Sequence, residues 1–129
     1  YKKKIFVDGG SQIRPNIHIK DLISAIDCLI FTKKKLRHNI FNAGFENLTI
    51  SEIAKKIKKR TGAKIKINKN KDIRSYRQDS SRLLKFGFKP KYNVSLAINE
   101  LIHFFNSKSK FSFTKKNFNL QRMKELNIK

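Results

Sequence analysis

An α/β fold is predicted for this chain of 129 residues, and three observations predict it. Short β-type runs alternate with apolar stripes at helical spacing. Recognisable start and stop signals stand between them. The length suits a single core but is small for a complete cofactor-dependent enzyme.

The elements follow in order. Residues 4 to 8 and 16 to 19 read as short strands around the turn Gly9-Gly10-Ser11, with Pro15 keeping Arg14 extended. Asp21 is placed to cap a helix reaching about Thr32, whose apolar stripe is Leu22, Ile26 and Leu29 with Ile23 and Ile30. Residues 39 to 43 form a buried-strand candidate ending at Gly44. The clearest helix start is Thr49 as N-cap with Glu52 three residues on, and Leu48 is placed to staple against Ile53. That helix is expected to stop at Gly62, a natural left-handed cap. Lys64-Ile65-Lys66-Ile67 alternates with period two, as a half-exposed strand does. Residues 68 to 79 read as a polar loop, followed by a short helix from Ser80 or Ser81 to Phe86, closed by Gly87 and Pro90. From Ser95, the residues Ile98, Leu101, Ile102 and Phe105 mark a further core-facing helix. Residues 107 to 118 read as a linker, and a last helix over 119 to 126 is expected to dock through Leu120, Met123 and Leu126.

Composition narrows the function. The formal net charge of +22 invites a nucleic-acid reading. Against it, Lys, Ile, Asn and Phe supply 64 of the 129 residues. All four have AT-rich codons, so codon bias accounts for much of the lysine. Of the 31 basic residues 24 are Lys, whereas a phosphate or base reader favours the bidentate fork of Arg. The densest basic block, Lys55 to Lys71, falls largely on one helix's polar face, which reads as a solvated surface. No apolar run approaches the roughly 20 residues of a membrane span. The lone Cys28 reads as a small core residue and fits a reducing cytoplasm. His38 and His103 have no Cys or carboxylate at ligand spacing, so no metal site is expected. The start at Tyr1, without an initiator Met, is expected to be preceded by further chain.

Four segments in order carry a resemblance. They are Gly9-Gly10-Ser11-Gln12-Ile13-Arg14-Pro15 leading to His18 and Asp21; Phe41-Asn42-Ala43-Gly44 leading to the Thr49 cap; Asp72-Ile73-Arg74-Ser75-Tyr76-Arg77-Gln78-Asp79 running on to Gly87 and Pro90; and the helix from Leu96 to Phe105. Together they resemble the C-terminal region of the extended short-chain dehydrogenase/reductase family, the NAD-dependent sugar-nucleotide epimerases and dehydratases. The resemblance implies that residues 1–106 are the substrate-side portion, carrying late strands and helices of an incomplete Rossmann-type sheet. Residues 107–129 are then a linker and short helix. It implies a nucleotide-diphosphate sugar as ligand, a role in polysaccharide biosynthesis, and a separate N-terminal domain holding NAD or NADP, with a homo-oligomer possible.

The chemistry of such a ligand selects the same residue types. A fixed guanidinium binds diphosphate oxygens through charge-assisted, often bidentate hydrogen bonds. The resemblance puts Arg14 at the family's phosphate-binding Arg; the alternative is an ion pair with Asp21 or Asp8. The family's second cation falls on Lys69, a Lys in place of Arg. Arg74 and Arg77 lie close by in sequence, and their alternative is pairing with Asp72 or Asp79. Phe6 and Val7, with Ile5, fall beside the nucleotide base in the family arrangement, or are a plain core strand. His18 is expected to be structural and not catalytic. The family's glycine-rich dinucleotide fingerprint and Tyr-x-x-x-Lys pair are not found in this sequence: Tyr76 is followed at the fourth position by Ser80 and Tyr92 by Leu96. The chain alone is therefore expected to be inactive and to expose apolar edges, with marginal stability or self-association. A non-catalytic nucleotide- or partner-binding descendant and a basic nucleic-acid-binding module are the other readings.

Overall fold

The structure is a computed structural model and describes residues 4–35, 40–69, 74–107 and 117–126. Strands β1 (Lys4–Asp8) and β4 (Lys64–Asn68) pair in parallel, with Lys4 opposite Lys64 and Asp8 opposite Asn68. Strands β2 (Ile13–Asn16) and β3 (Glu46–Thr49) pair antiparallel, with Ile13 opposite Thr49. Between and after them lie α1 (Ile19–Ile30), α2 (Ile50–Thr61), α3 (Ser81–Phe86), α4 (Val94–Ser107) and α5 (Asn119–Glu125). Helix α2 leads from β3 into β4 and packs on β1, β3, β4 and α4, so it joins the two small sheets.

Local chemistry sets most of the boundaries. At α2 the capping box is complete: Glu52 N–H donates to Thr49 Oγ1 at 3.1 Å and Thr49 N–H donates to a Glu52 carboxylate oxygen at 2.7 Å. Gly62 ends the helix at φ +69° and Gly87 ends α3 at φ +117°, the left-handed conformation that favours glycine. The two bonds from Thr49 hold the Glu52 carboxyl below its ordinary pKa. Its contribution is therefore present above the usual carboxylate range and is lost as pH falls through the lowered value. Thr49→Ala is expected to cost about 1 kcal/mol at neutral pH, read from urea melts. In a chain that keeps Thr49, Glu52→Gln should flatten the acid limb of the same melts.

Four expectations are corrected. The second strand lies at residues 13–16, not 16–19, because His18 caps α1 with Nδ1 accepting from Lys20 N–H at 3.2 Å. Asp21 is accordingly not the cap. It sits in the first turn with 1% exposure, and its carboxylate accepts from Lys91 N–H and Tyr92 N–H. Residues 40 to 43, the described part of the strand candidate, form no ladder. The stretch still alternates as a buried strand does, placing Phe41, Ala43 and Phe45 against the core, but side chains satisfy much of its backbone. Ser80 Oγ accepts from Gly44 N–H and donates to Gly44 O, and Arg82 Nη1 donates to Ile40 O. Lastly, α5 has no buried residue, and Leu120, Met123 and Leu126 are exposed and do not anchor it. The expected linker at 108 to 116 lies outside the described residues.

The core is thin. Ala25, Leu83 and Phe88 form its buried cluster, with Cys28, Leu29, Phe41, Ala43 and Phe45 packed on it. Phe45 stacks on Phe88 with ring centroids 5.5 Å apart, and Phe41 meets Phe86 edge-on at 5.7 Å. Only one side of α1 is used by this core. Ile19, Ile23, Ile26 and Ile30, spaced four, three and four residues apart, stay exposed on it, and Leu101 is exposed on α4. The helix stripes read from the sequence are thus real but only partly covered within the chain.

Candidate functional site

The turn after β1 brings the chain to the site. Gly9 and Gly10 take φ of +77° and +110°, and Gln12 closes the turn by accepting from Gly10 N–H and donating to Asp8 O, each at 2.6 Å. Gly10 abuts the start of α2: its carbonyl accepts from Ser51 N–H, and a Cβ there would lie 2.3 Å from Ser51 Oγ. Substitution is closed off by both conformation and space.

Strand β2 then runs between two neighbours. On one side it pairs with β3, beginning where Ile50 N–H donates to Gln12 O. On the other it meets the extended segment of residues 74 to 80. Ile13 N–H donates to Ser75 Oγ at 2.9 Å and Tyr76 N–H donates to Ile13 O at 3.4 Å. Backbone groups two residues apart face the same way along a strand. The missing N–H of Pro15 therefore falls on the outer edge with Ile13, and the β2–β3 ladder is not interrupted. Farther along, the Asn47 side chain exchanges two bonds with the Gln78 backbone, at 2.9 and 3.1 Å, and Asn42 Nδ2 donates to Asp79 O at 3.1 Å. Side-chain amides and hydroxyls thus stand in for a strand ladder and fix this polar segment.

Arg14 is pinned at the centre. Its Nη1 donates to Ile13 O at 3.0 Å and to Arg74 O, and its guanidinium lies over the Tyr76 ring at 4.9 Å from the centroid. Of the acidic residues considered for it, Asp21 accepts from the backbone before α4, and Asp8 accepts from Asn68 Nδ2 at 3.0 Å. Of the two considered for Arg74 or Arg77, Asp72 lies outside the described residues, and Asp79 accepts from Ser81 N–H and Ser81 Oγ, bonds that hold its carboxyl below the ordinary value. Sequence reasoning singled out both Arg14 and Arg74, and the structure brings them together, although Arg74 contributes its carbonyl. Tyr76 was passed over as a site residue; its signal is an aromatic two positions after Arg74 in an extended, polar stretch.

The other candidates are placed less centrally. Arg77 is exposed on the same segment, and Lys69 is exposed just after β4. On β1, Val7 is buried at 3% exposure, as a core strand residue is, whereas Phe6 is 56% exposed beside Lys66. His18 has a structural setting: besides capping α1 it stacks on Tyr92 at 4.7 Å, and its Nε2 lies 3.3 Å from Glu100. Lys20 bonds Glu100 at 2.7 Å, which raises the lysine's pKa and lowers that of the carboxyl. Among the described residues no group of three or more His, Cys, Asp or Glu is placed to hold a metal ion. None of the described helices is long and apolar enough to cross a membrane.

This arrangement has the α/β fold of the C-terminal portion of extended short-chain dehydrogenase/reductase structures. The chain superposes on UDP-glucuronic acid 4-epimerase from Bacillus cereus, solved with UDP-glucuronic acid and NAD, with TM-score 0.67 and 22% identity over 81% of this chain. It is similar also to the NAD-dependent NDP-hexosamine 5,6-dehydratase TunA, with TM-score 0.68, 14% identity and 83% coverage. RMD from Pseudomonas aeruginosa, solved with NADPH, gives TM-score 0.68 at 16% identity over 83% of this chain. The chain spans only 35 to 37% of the length of these three structures. No family model and no curated protein matches the sequence.

Proposed function

We propose that this chain is the nucleotide-sugar-binding portion of an NAD(P)-dependent sugar-nucleotide epimerase or dehydratase. The Arg14 cradle carries the reading: a guanidinium held by Arg74 O and lying over the Tyr76 ring, in a fold shared with a UDP-glucuronic acid epimerase and an NDP-hexosamine dehydratase. Arg14 is the diphosphate ligand, and Lys69, Arg74 and Arg77 supply further positive charge. Phe6 offers an exposed apolar face to a base; Val7 supports it from within the core.

Hydride chemistry belongs to polypeptide outside residues 1–129 in this reading. The Gly9–Gly10 turn does not fit a dinucleotide pyrophosphate: it leads into β2 and not a helix N-terminus, and Ser51 fills the space beside Gly10. NAD or NADP is bound by an N-terminal cofactor domain, and the exposed isoleucines of α1 are consistent with burial against further chain. The single Cys28 is in keeping with a cytoplasmic enzyme.

Calorimetry with UDP-, GDP-, CDP- and dTDP-sugars tests the proposal, on the chain alone and with a cofactor-domain polypeptide added. Binding of one family of nucleotides is expected. Arg14→Ala should weaken it about 10- to 100-fold, the worth of a charge-assisted pair. Indifference to all four classes in both settings, or unchanged affinity in Arg14→Ala, would reject the site. Steeply salt-dependent binding to DNA or RNA in their place would favour a basic nucleic-acid module.

A further inference from the structure

We infer that Tyr76 is the positioning residue for Arg14, so that the segment of residues 74 to 80, and not β2 alone, sets where a diphosphate is held. The inference rests on the nucleotide-diphosphate reading above. An arginine side chain has a large share of rotamer freedom to lose. On a short strand at the edge of a two-stranded sheet, that freedom would have to be lost when an anion binds. Here two contacts from one neighbouring segment restrict it beforehand, and a backbone bond holds that segment beside Arg14. The Arg74 carbonyl takes Nη1, the Tyr76 ring lies against the guanidinium at 4.9 Å, and Tyr76 N–H bonds Ile13 O in the residue before Arg14. Ser75 Oγ, accepting from Ile13 N–H, completes the register of the two strands of chain. The Nη1 bond and the ring contact hold the guanidinium at two places, so it cannot swing about either one alone.

The segment is itself well anchored away from Arg14. Asn47 holds Gln78 by two bonds, and Ser80 is buried and bonded to both backbone groups of Gly44. A Cβ at Gly44 would lie 2.3 Å from Gln78 Oε1 and 2.8 Å from Pro15 Cβ. Segment, Gly44 and β2 therefore pack too closely to shift independently. The ring of Tyr76 is 55% exposed, so its place in the structure is not that of a core residue. Its contact with a cation at an exposed site is worth about 0.5–1 kcal/mol.

The test is titration of the full chain with UDP, GDP, CDP and dTDP, carrying forward whichever binds tightest. Tyr76→Ala and Tyr76→Leu should each weaken binding about 2- to 5-fold, while Tyr76→Phe, which keeps the ring, should bind as the unsubstituted chain does. In an Arg14→Gln background Tyr76→Ala should have no further effect, because its action passes through Arg14. Urea melts of each variant separate a binding loss from a folding loss. Unchanged affinity in Tyr76→Ala, equal losses in Tyr76→Phe and Tyr76→Ala, or full additivity with Arg14→Gln would overturn the positioning role and leave the Arg14 site standing. No effect of Arg14→Gln, or no binding of any of the four by the unsubstituted chain either alone or with the cofactor-domain polypeptide added, would overturn the site and the inference together.

Discussion

Asp21→Ala is expected to lower the stability of the chain by about 3 kcal/mol, the cost of stranding two amides that now bond a carboxylate. The carboxylate is 1% exposed and takes Lys91 N–H at 3.0 and 3.1 Å and Tyr92 N–H at 2.9 Å. Those amides lie in the turn that starts α4, so the loss is expected to release α4 from α1 as well as to weaken α1. The first turn of a helix also favours a negative charge, a smaller contribution of about 0.3–1 kcal/mol. Asp21→Asn keeps one acceptor oxygen but turns an NH2 toward the second amide, and should fall about midway between the two. Urea denaturation is the measurement, with a lowered midpoint at unchanged slope as the expected form. A loss under about 1 kcal/mol in Asp21→Ala would mean that the turn before α4 is held by something else.

Asp21 also shows where sequence reading stops. As a residue type it has cap chemistry, and a cap is settled within four residues; Thr49, Glu52, Gly62 and Gly87 were legible for that reason. Asp21 instead serves backbone groups 70 and 71 positions away, and no local pattern encodes that. Residues 41 to 45 make a related point. The strand candidate at 39 to 43 correctly drew attention to a stretch that packs on the core, yet its residue types are silent on whether a strand or the side chains of Ser80 and Arg82 will satisfy its backbone. Helix α1 is apolar on more than one side, and only packing decides that Ala25 and Leu29 are covered while Ile23 and Ile26 are not.

The candidate site was legible in its charges and not in its geometry. Arg14 stood out because a turn and a proline constrain its backbone. Arg74 and Arg77 stood out because they lie close in sequence to Lys69, the position of the family's second cation. That the two segments lie side by side, with Arg74 offering a carbonyl and Tyr76 a ring, follows from hydrogen bonds of Ile13 with residues 62 and 63 positions on. Lys69, Arg77 and Phe6 were singled out by position in a motif, and each is exposed, where a side chain's reach and not its sequence spacing sets what it meets.

Leu83→Ala is expected to cost about 2–5 kcal/mol, the range for removing a fully buried leucine from a packed site. Leu83 is 1% exposed and is the buried residue of α3, a helix of six residues whose Ser80 N-cap makes no side-chain cap bond. Intrinsic propensity cannot hold so short a helix, so α3 depends on tertiary packing, of which Leu83 against Ala25 and Phe88 is the buried part. The aromatic pairs around it, Phe45 on Phe88 and Phe41 on Phe86, close from several sides and limit collapse into the vacated volume. Leu84, next in sequence but 44% exposed, provides the control, and Leu84→Ala should cost under about 1 kcal/mol. Leu83→Met, which conserves volume, should cost less than about 1.5 kcal/mol. Because Leu83 N–H bonds Ser80 O, and Ser80 in turn bonds Gly44, loosening α3 should also raise amide exchange in the segment of residues 74 to 80. Equal losses in Leu83→Ala and Leu84→Ala would place the core elsewhere. A large loss without faster exchange at Gln78 would separate the stability of α3 from the geometry that holds Arg14.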